Sequence, residues 1–116
     1  MSVLPLPPFE VLPAHASESV KLALRGELDM YSAPLLEREL RAAANVDAPL
    51  VVLDLAELTF MDVTGLRAIL DAAREARRTH RTLVIENPRP HIVRLLELTA
   101  IDQTLTVRGR PLTAVA

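Results

Sequence analysis

The residues best placed for chemistry lie in one short segment, Asp62-Val63-Thr64-Gly65, which joins a carboxylate, a hydroxyl and a glycine. The segment precedes apolar residues at helical spacing, so we predict that Asp62 is the N-cap of a helix and accepts a backbone N–H. A hydroxyl in the first turn of a helix lies near free N–H groups and the positive end of the helix dipole, where a phosphate is stabilised. Thr64 is therefore an ordinary first-turn residue and a candidate phosphate acceptor, and the two interpretations are compatible.

A phosphate on Thr64 would change the surface at this helix start. It would add about 1.5–2 negative charges beside Asp62. A partner surface that fits the neutral hydroxyl would then meet repulsion and unpaired charge. The segment could thus act as a switch without any conformational change within the domain.

Metal and nucleotide chemistry find little support in the rest of the chain. The sequence has no cysteine, which excludes a disulfide framework, a thiolate zinc site and a cysteine nucleophile. No two histidines stand at a ligand spacing such as i, i+4, so we expect all three on the surface and no metal site. The three glycines do not form a phosphate-cradling loop, and we expect no cofactor. The histidines are His15, His80 and His91, and the glycines are Gly26, Gly65 and Gly109.

A hydrolase remains a conceivable alternative, with Asp29, Asp54 or Asp62 as a base. Carboxylates at strand ends are where α/β sheets place chemistry. No general acid or substrate cradle accompanies these aspartates, so the sequence favours caps and turns, and we predict that the protein is not an enzyme.

The composition sets further limits. The 116 residues fit one domain, since a single core serves about 100–150 residues. The net charge of -2 provides no basic field for nucleic acid, and the three aromatic residues argue against base stacking. No stretch resembles a signal peptide or the roughly 20 apolar residues of a membrane span. We therefore expect a cytoplasmic protein.

The elements that position Thr64 can be read from hydrophobic spacing. Their order, β-β-α-β-α-β-α-β, predicts an α/β fold with a mostly parallel sheet of four to five strands and an antiparallel edge hairpin. Phe60 and Met61, in the loop before Asp62, are expected in the core. The predicted strands are Phe9–Leu12 (ended by Pro13), Val20–Leu24, Leu50–Leu53, Thr82–Ile85 and Thr104–Val107. Three helices are predicted. The first follows a cap at Ser32 or Asp29, the second follows the cap at Asp62, and the third opens with Asn87 as its cap and Pro88 in its first turn. A hairpin loop at Ala14–Ser19 and a loop at Leu55–Asp62 are also predicted.

Five segments in this order resemble the STAS domain, and most closely the single-domain bacterial anti-sigma factor antagonists. The resemblance covers Phe9 to Val107, flanked by a flexible segment Met1–Pro8 and a tail Arg108–Ala116. The segments are Arg25-Gly26-Glu27-Leu28-Asp29, Ala33-Pro34-Leu35-Leu36, Val51-Val52-Leu53-Asp54-Leu55, Phe60-Met61-Asp62-Val63-Thr64-Gly65-Leu66 and Arg94–Asp102.

The resemblance implies the STAS fold and partner switching. The unphosphorylated antagonist would bind an anti-sigma factor, usually a serine/threonine kinase, and so free a sigma factor. The kinase would phosphorylate Thr64 and the pair would separate, and a PP2C-type phosphatase would reverse the step. Asp29, Asp62 and the start of the Thr64 helix, including Gly65 and Arg67, would form the partner-binding face of a monomer or weak dimer.

The chain departs from the family pattern at two positions. Val63 stands where many relatives have a serine, which leaves Thr64 as the only hydroxyl of the motif, and Ala100 stands where relatives often have glycine. STAS domains also serve as accessory subunits of transporters, including lipid-transport ATPases. In that alternative, Thr64 would be an interface residue.

Overall fold

The strands form one mixed sheet with the order β1-β2-β3-β4-β5 in the computed structural model, which describes residues 9–99 and 105–108. β1 pairs antiparallel with β2, and the later neighbours pair in parallel. This arrangement confirms the predicted element order and fold class. The strands are β1 (Glu10–His15), β2 (Ser19–Leu28), β3 (Leu50–Met61), β4 (Thr82–Glu86) and β5 (Thr106–Arg108).

Helices connect the parallel strands and bury their apolar faces against the sheet. They are α1 (Ala33–Ala44), α2 (Val63–Arg78) and α3 (Pro90–Leu98). Full burial of an aliphatic side chain stabilises the folded state by about 1.5–3 kcal/mol. The largest fully buried side chains come from both layers, which makes one continuous core. They include Leu22, Leu24, Leu53, Leu55, Leu36, Leu66, Ile69, Ile85, Ile92 and Leu96.

The predicted loop Leu55–Asp62 is wrong, because β3 continues as a strand to Met61. The end of β2 pairs with this extension, and the pairing joins Gly26 to Leu58 and Leu28 to Met61. The ladder has two register irregularities, and Gly26 has a φ of 96°. Bulges interrupt the alternation of buried and exposed side chains along a strand. The buried residues Leu55, Leu58 and Met61 therefore recur every three residues, and this spacing does not resemble a strand in the sequence.

The two residues before Asp62 have different environments. Met61 is buried at 6% exposure, as predicted, whereas Phe60 is 45% exposed. The prediction that Phe60 lies in the core is therefore wrong. Successive side chains of a strand point to opposite faces of the sheet, and at this end of β3 the face that holds Met61 is covered whereas the face that holds Phe60 is open to solvent.

Several element boundaries also differ from the predictions. β1 passes through Pro13, because an edge strand tolerates a missing N–H. The third helix begins at Pro90 with Arg89 as its N-cap, whereas Asn87, the predicted cap, has a φ of 55°. Arg108, expected to begin the tail, is the last residue of β5 and pairs with Glu86 of β4. The predicted flexible segment Met1–Pro8, Ala100, the predicted start of the last strand at Thr104 and the tail after Arg108 lie outside the described residues.

The longest described helix, α2, has 16 residues. Within residues 9–99 and 105–108, none of the helices has the length and hydropathy of a membrane-crossing segment.

Candidate functional site

Asp62 caps α2, as predicted. Its backbone is extended (φ −101°, ψ −174°), and its Oδ1 accepts a hydrogen bond from the Gly65 N–H at 2.9 Å. The Asp62 carbonyl accepts the Leu66 N–H at 3.0 Å and so starts the helical ladder. An N-cap of this kind contributes about 1 kcal/mol, so Asp62 fixes where the helix begins.

Thr64 lies in the first turn of α2, and its side chain is exposed. In the described part of the chain, its hydroxyl has no hydrogen-bond partner. Because Asp62 already satisfies the N–H of Gly65, the hydroxyl is not required to cap the helix. A phosphate at this position would meet the positive end of the helix dipole. Thr64 therefore has the accessibility and the local field that a phosphate acceptor needs.

Gly65 sits against the end of β2. A Cβ at this position would lie 2.6 Å from the Leu28 Cγ and 2.8 Å from the Leu28 carbonyl oxygen, closer than real Cβ contacts. The same carbonyl accepts the Asp62 N–H at 3.1 Å. Gly65 is buried, and because it has no side chain, the start of α2 can pack directly against the end of β2.

Asp29 organises the turn between β2 and α1. Its Oδ1 accepts the backbone N–H groups of Tyr31 at 2.9 Å and Ser32 at 3.0 Å. The Ser32 hydroxyl accepts the Asp29 N–H and donates to the Glu27 carbonyl at 2.7 Å, while Ser32 holds the N-cap position without capping through its side chain. These hydrogen bonds, foremost that from the Ser32 backbone, lower the pKa of Asp29 and keep its carboxylate charged.

The structure brings Asp29 and Asp62 to the same edge of the sheet. Each follows directly on the last residue of a strand, Leu28 in β2 and Met61 in β3, and these two residues pair across the parallel ladder. Thr64 lies two residues beyond Asp62, and Arg67 is exposed one turn along α2. Of the residues expected at the partner-binding face, four are thus at least partly exposed together, and Gly65 lies beneath them.

The surface around Thr64 also holds apolar residues to which the sequence reasoning gave no contact role. Tyr31 is 85% exposed, Val63 62% and Met30 61%. The available signal was the pair Met30-Tyr31, two large apolar side chains in a segment that otherwise reads as a polar turn and cap. A single pair, however, does not show from sequence alone whether its residues face the core or the solvent.

The side chains considered for metal binding or catalysis have ordinary structural surroundings in the part of the chain that the structure describes. No group of three or more His, Cys, Asp or Glu side chains there could hold a metal ion. The three histidines are exposed, and the His91 Nε2 lies 2.7 Å from the Thr59 carbonyl oxygen. Asp54 accepts the Ala56 N–H, so each of the three candidate base aspartates supports a turn or a cap.

Solved structures of anti-sigma factor antagonists share the fold of this chain. An anti-sigma factor antagonist from Mycobacterium paratuberculosis superposes with a TM-score of 0.79 at 23% identity, over 86% of this chain and 85% of that one. The unphosphorylated form of SpoIIAA, an anti-sigma factor antagonist, gives a TM-score of 0.71 at 19% identity, over 88% of this chain and 89% of that one. Likeness at this level of identity shows a shared fold.

A family model described as "Mlab, STAS domain" matches residues 11–109. The chain therefore belongs to the STAS domain family. Among its sequence relatives is the anti-sigma-B factor antagonist of Bacillus subtilis, which is 26% identical over 91 residues, 78% of this chain and 83% of the relative.

Proposed function

We propose that this protein is an anti-sigma factor antagonist that works by partner switching. Its unphosphorylated form binds an anti-sigma factor serine/threonine kinase and so frees a sigma factor, and phosphorylation of Thr64 releases it. The observation that carries the proposal is the exposed Thr64 hydroxyl at the capped start of α2, beside the Asp29 turn.

The relatives support this class of function. The sequence relative from Bacillus subtilis is named an anti-sigma-B factor antagonist. SpoIIAA, whose fold this chain shares, has been solved in an unphosphorylated form and, as a Bacillus cell fate determinant, in a phosphorylated form. The proposal assigns to this chain a role as the substrate of a kinase, with no reaction of its own.

The geometry supplies a physical reason for release. The kinase transfers the γ-phosphoryl group of ATP to the Thr64 oxygen, and ADP and the hydroxyl proton leave. The new group carries about 1.5–2 negative charges and is accommodated at the helix dipole. It also stands beside the charged Asp29 and Asp62, so a partner that tolerates the neutral hydroxyl meets a concentrated anionic surface. A PP2C-type phosphatase restores the neutral hydroxyl by hydrolysis.

The test is phosphorylation by purified anti-sigma factor kinases of the source organism in the presence of ATP. We expect one phosphate, which mass spectrometry places on Thr64, and loss of kinase binding after the reaction. Thr64→Ala should bind the kinase with or without ATP, and Thr64→Asp should bind poorly. Thr82→Ala is a matched control, since Thr82 is another exposed threonine and lies at the start of β4. Labelling of Thr64→Ala to the wild-type extent would refute the assignment.

The role as a transporter subunit remains a prediction that no feature of the site favours. It would be supported if the wild-type chain copurified with a membrane ATPase and Thr64 stayed unmodified in cells. Copurification and the phosphorylation assay together therefore separate the two functions.

A further inference from the structure

Exposed large apolar side chains are concentrated at the Thr64 end of the molecule. Among the described residues, six such side chains are exposed, and four belong to the two junctions where β2 and β3 lead into helices. Clustered apolar exposure marks interaction sites, whereas single exposed apolar residues are normal. The four are Met30, Tyr31, Phe60 and Val63, and the other two, Leu12 and Leu98, lie elsewhere.

Hydrogen bonds at the two junctions fix the backbone that carries these side chains. The Tyr31 N–H donates to the Asp29 carboxylate, and the Ser32 hydroxyl ties the turn to the Glu27 carbonyl. Val63 is the first residue of α2, whose start is tied to β2 by the Asp62 N–H and the Leu28 carbonyl. Because this backbone is already ordered in the free protein, binding of a partner costs little backbone conformational entropy.

We propose that Met30, Tyr31 and Val63 form an apolar patch that supplies most of the affinity for the anti-sigma factor, with Tyr31 as its anchor. This inference rests on the proposed function. Tyrosine and methionine are enriched in the buried centres of interfaces, where a few residues carry most of the binding energy. Asp29 and Asp62 flank the patch, so the complementary surface of the anti-sigma factor has an apolar centre and basic residues around it.

The patch also explains why a phosphate on Thr64 releases the partner. Binding removes water from the patch, and Val63 is the direct neighbour of Thr64. A phosphate retains its hydration strongly, so closing the interface over Val63 would require costly desolvation of the new charge. The apolar patch provides the affinity in the unphosphorylated state, and the phosphate blocks its burial.

The test uses the purified anti-sigma factor that the Thr64 experiment identifies. It compares the affinity of this partner for the wild type with its affinity for the variants Tyr31→Ser, Met30→Ser and Leu98→Ser. Leu98 is the matched control, since it is 78% exposed and lies at the end of α3. Tyr31→Ser should weaken binding by at least about 30-fold, as expected for an anchor residue. Met30→Ser should weaken it less, by roughly 5- to 10-fold, and Leu98→Ser by less than about 3-fold. Because all three side chains are exposed, the thermal midpoints should stay close to that of the wild type.

The outcomes separate the patch from the proposed function. If Tyr31→Ser and Leu98→Ser bind like the wild type while Thr64→Asp is released, the patch is overturned and the proposed function stands. If the wild type binds no anti-sigma factor, the proposed function fails, and the patch is tested by Tyr31→p-benzoylphenylalanine crosslinking in cells. A crosslink from position 31 to an identified protein of another class, with none from position 98, retains the surface. Equal or absent crosslinks from both positions overturn it.

Discussion

Replacing Gly65 by alanine should destabilise the protein, although alanine is the better helix former. The new Cβ would lie 2.6 Å from the Leu28 Cγ and 2.8 Å from the Leu28 carbonyl oxygen, whereas ordinary contacts begin at 3.4 Å. The helix start must therefore move by more than half an ångström. That movement strains the hydrogen bond from the Asp62 N–H to the same carbonyl.

The magnitude follows from two opposed effects. Overpacking a well-filled site costs about 1–3 kcal/mol. Gly→Ala in a helix returns up to about 1 kcal/mol of propensity, and less in the first turn. We therefore expect the free energy of unfolding of Gly65→Ala to fall by about 1–2 kcal/mol. For a domain of this size, that corresponds to a fall in the thermal midpoint of roughly 4–8 °C.

Urea denaturation followed by circular dichroism measures the effect, and Leu28→Ala provides a test of its cause. Leu28 is completely buried, so Leu28→Ala alone should cost about 2–5 kcal/mol through the cavity that it leaves. In the double variant the new methyl group enters the space vacated by Leu28. The free energy of unfolding of the double variant should therefore fall by less than the sum of the two single-variant losses. Gly65→Ala with wild-type stability, or strict additivity in the double variant, would refute the close-approach reasoning.

Two further predictions concern other parts of the fold. The Arg81 guanidinium donates to the carbonyls of Ala43, Ala44 and Val46 at 3.1, 2.9 and 2.7 Å, and a lysine cannot reach all three, so Arg81→Lys should lower the free energy of unfolding by about 1–2 kcal/mol. Chemical denaturation should show a change under about 0.5 kcal/mol for the control Arg74→Lys on the exposed face of α2. Equal losses in both variants would contradict a stabilising role for the three Arg81 hydrogen bonds. Because hydrogen bonds lower the pKa of Asp29, its stabilising contribution is present above the unfolded-state pKa and is lost as the pH falls through the folded-state value. Asp29→Asn, which keeps an acceptor but cannot ionise, should therefore show a shallower loss of stability on acidification than the wild type, and parallel pH profiles in denaturation experiments would contradict this account.

The capped start of α2 could be predicted from sequence because its determinants are local. Asp62, the glycine three residues later and the apolar stripe of the helix all lie within a few turns of one another. The exposure of Thr64 follows from the same helical spacing. Asp29 was also recognised from its place between a strand and a helix, although the structure shows that it serves the turn through Tyr31 and Ser32.

The extension of β3 could not be predicted in the same way. Its buried residues are three apart because the bulged pairing with the end of β2 displaces the alternation. That pairing joins residues about 30 positions apart, and no local pattern encodes it. The error on Phe60 has the same origin, since a loop leaves the direction of a side chain open whereas a strand fixes it.

The sequence by itself determined the order of the elements, the cap at Asp62 and the position of the one hydroxyl in the motif, because residue type and helical spacing act over short distances. Only the tertiary structure decided that the ends of β2 and β3 lie side by side, that Gly65 is required by the contact with Leu28, and that Met30, Tyr31 and Val63 face outwards. Each of these features depends on which surfaces two distant segments cover when they pack. That coverage is a property of the assembled core, and hydrophobicity along the chain does not specify it.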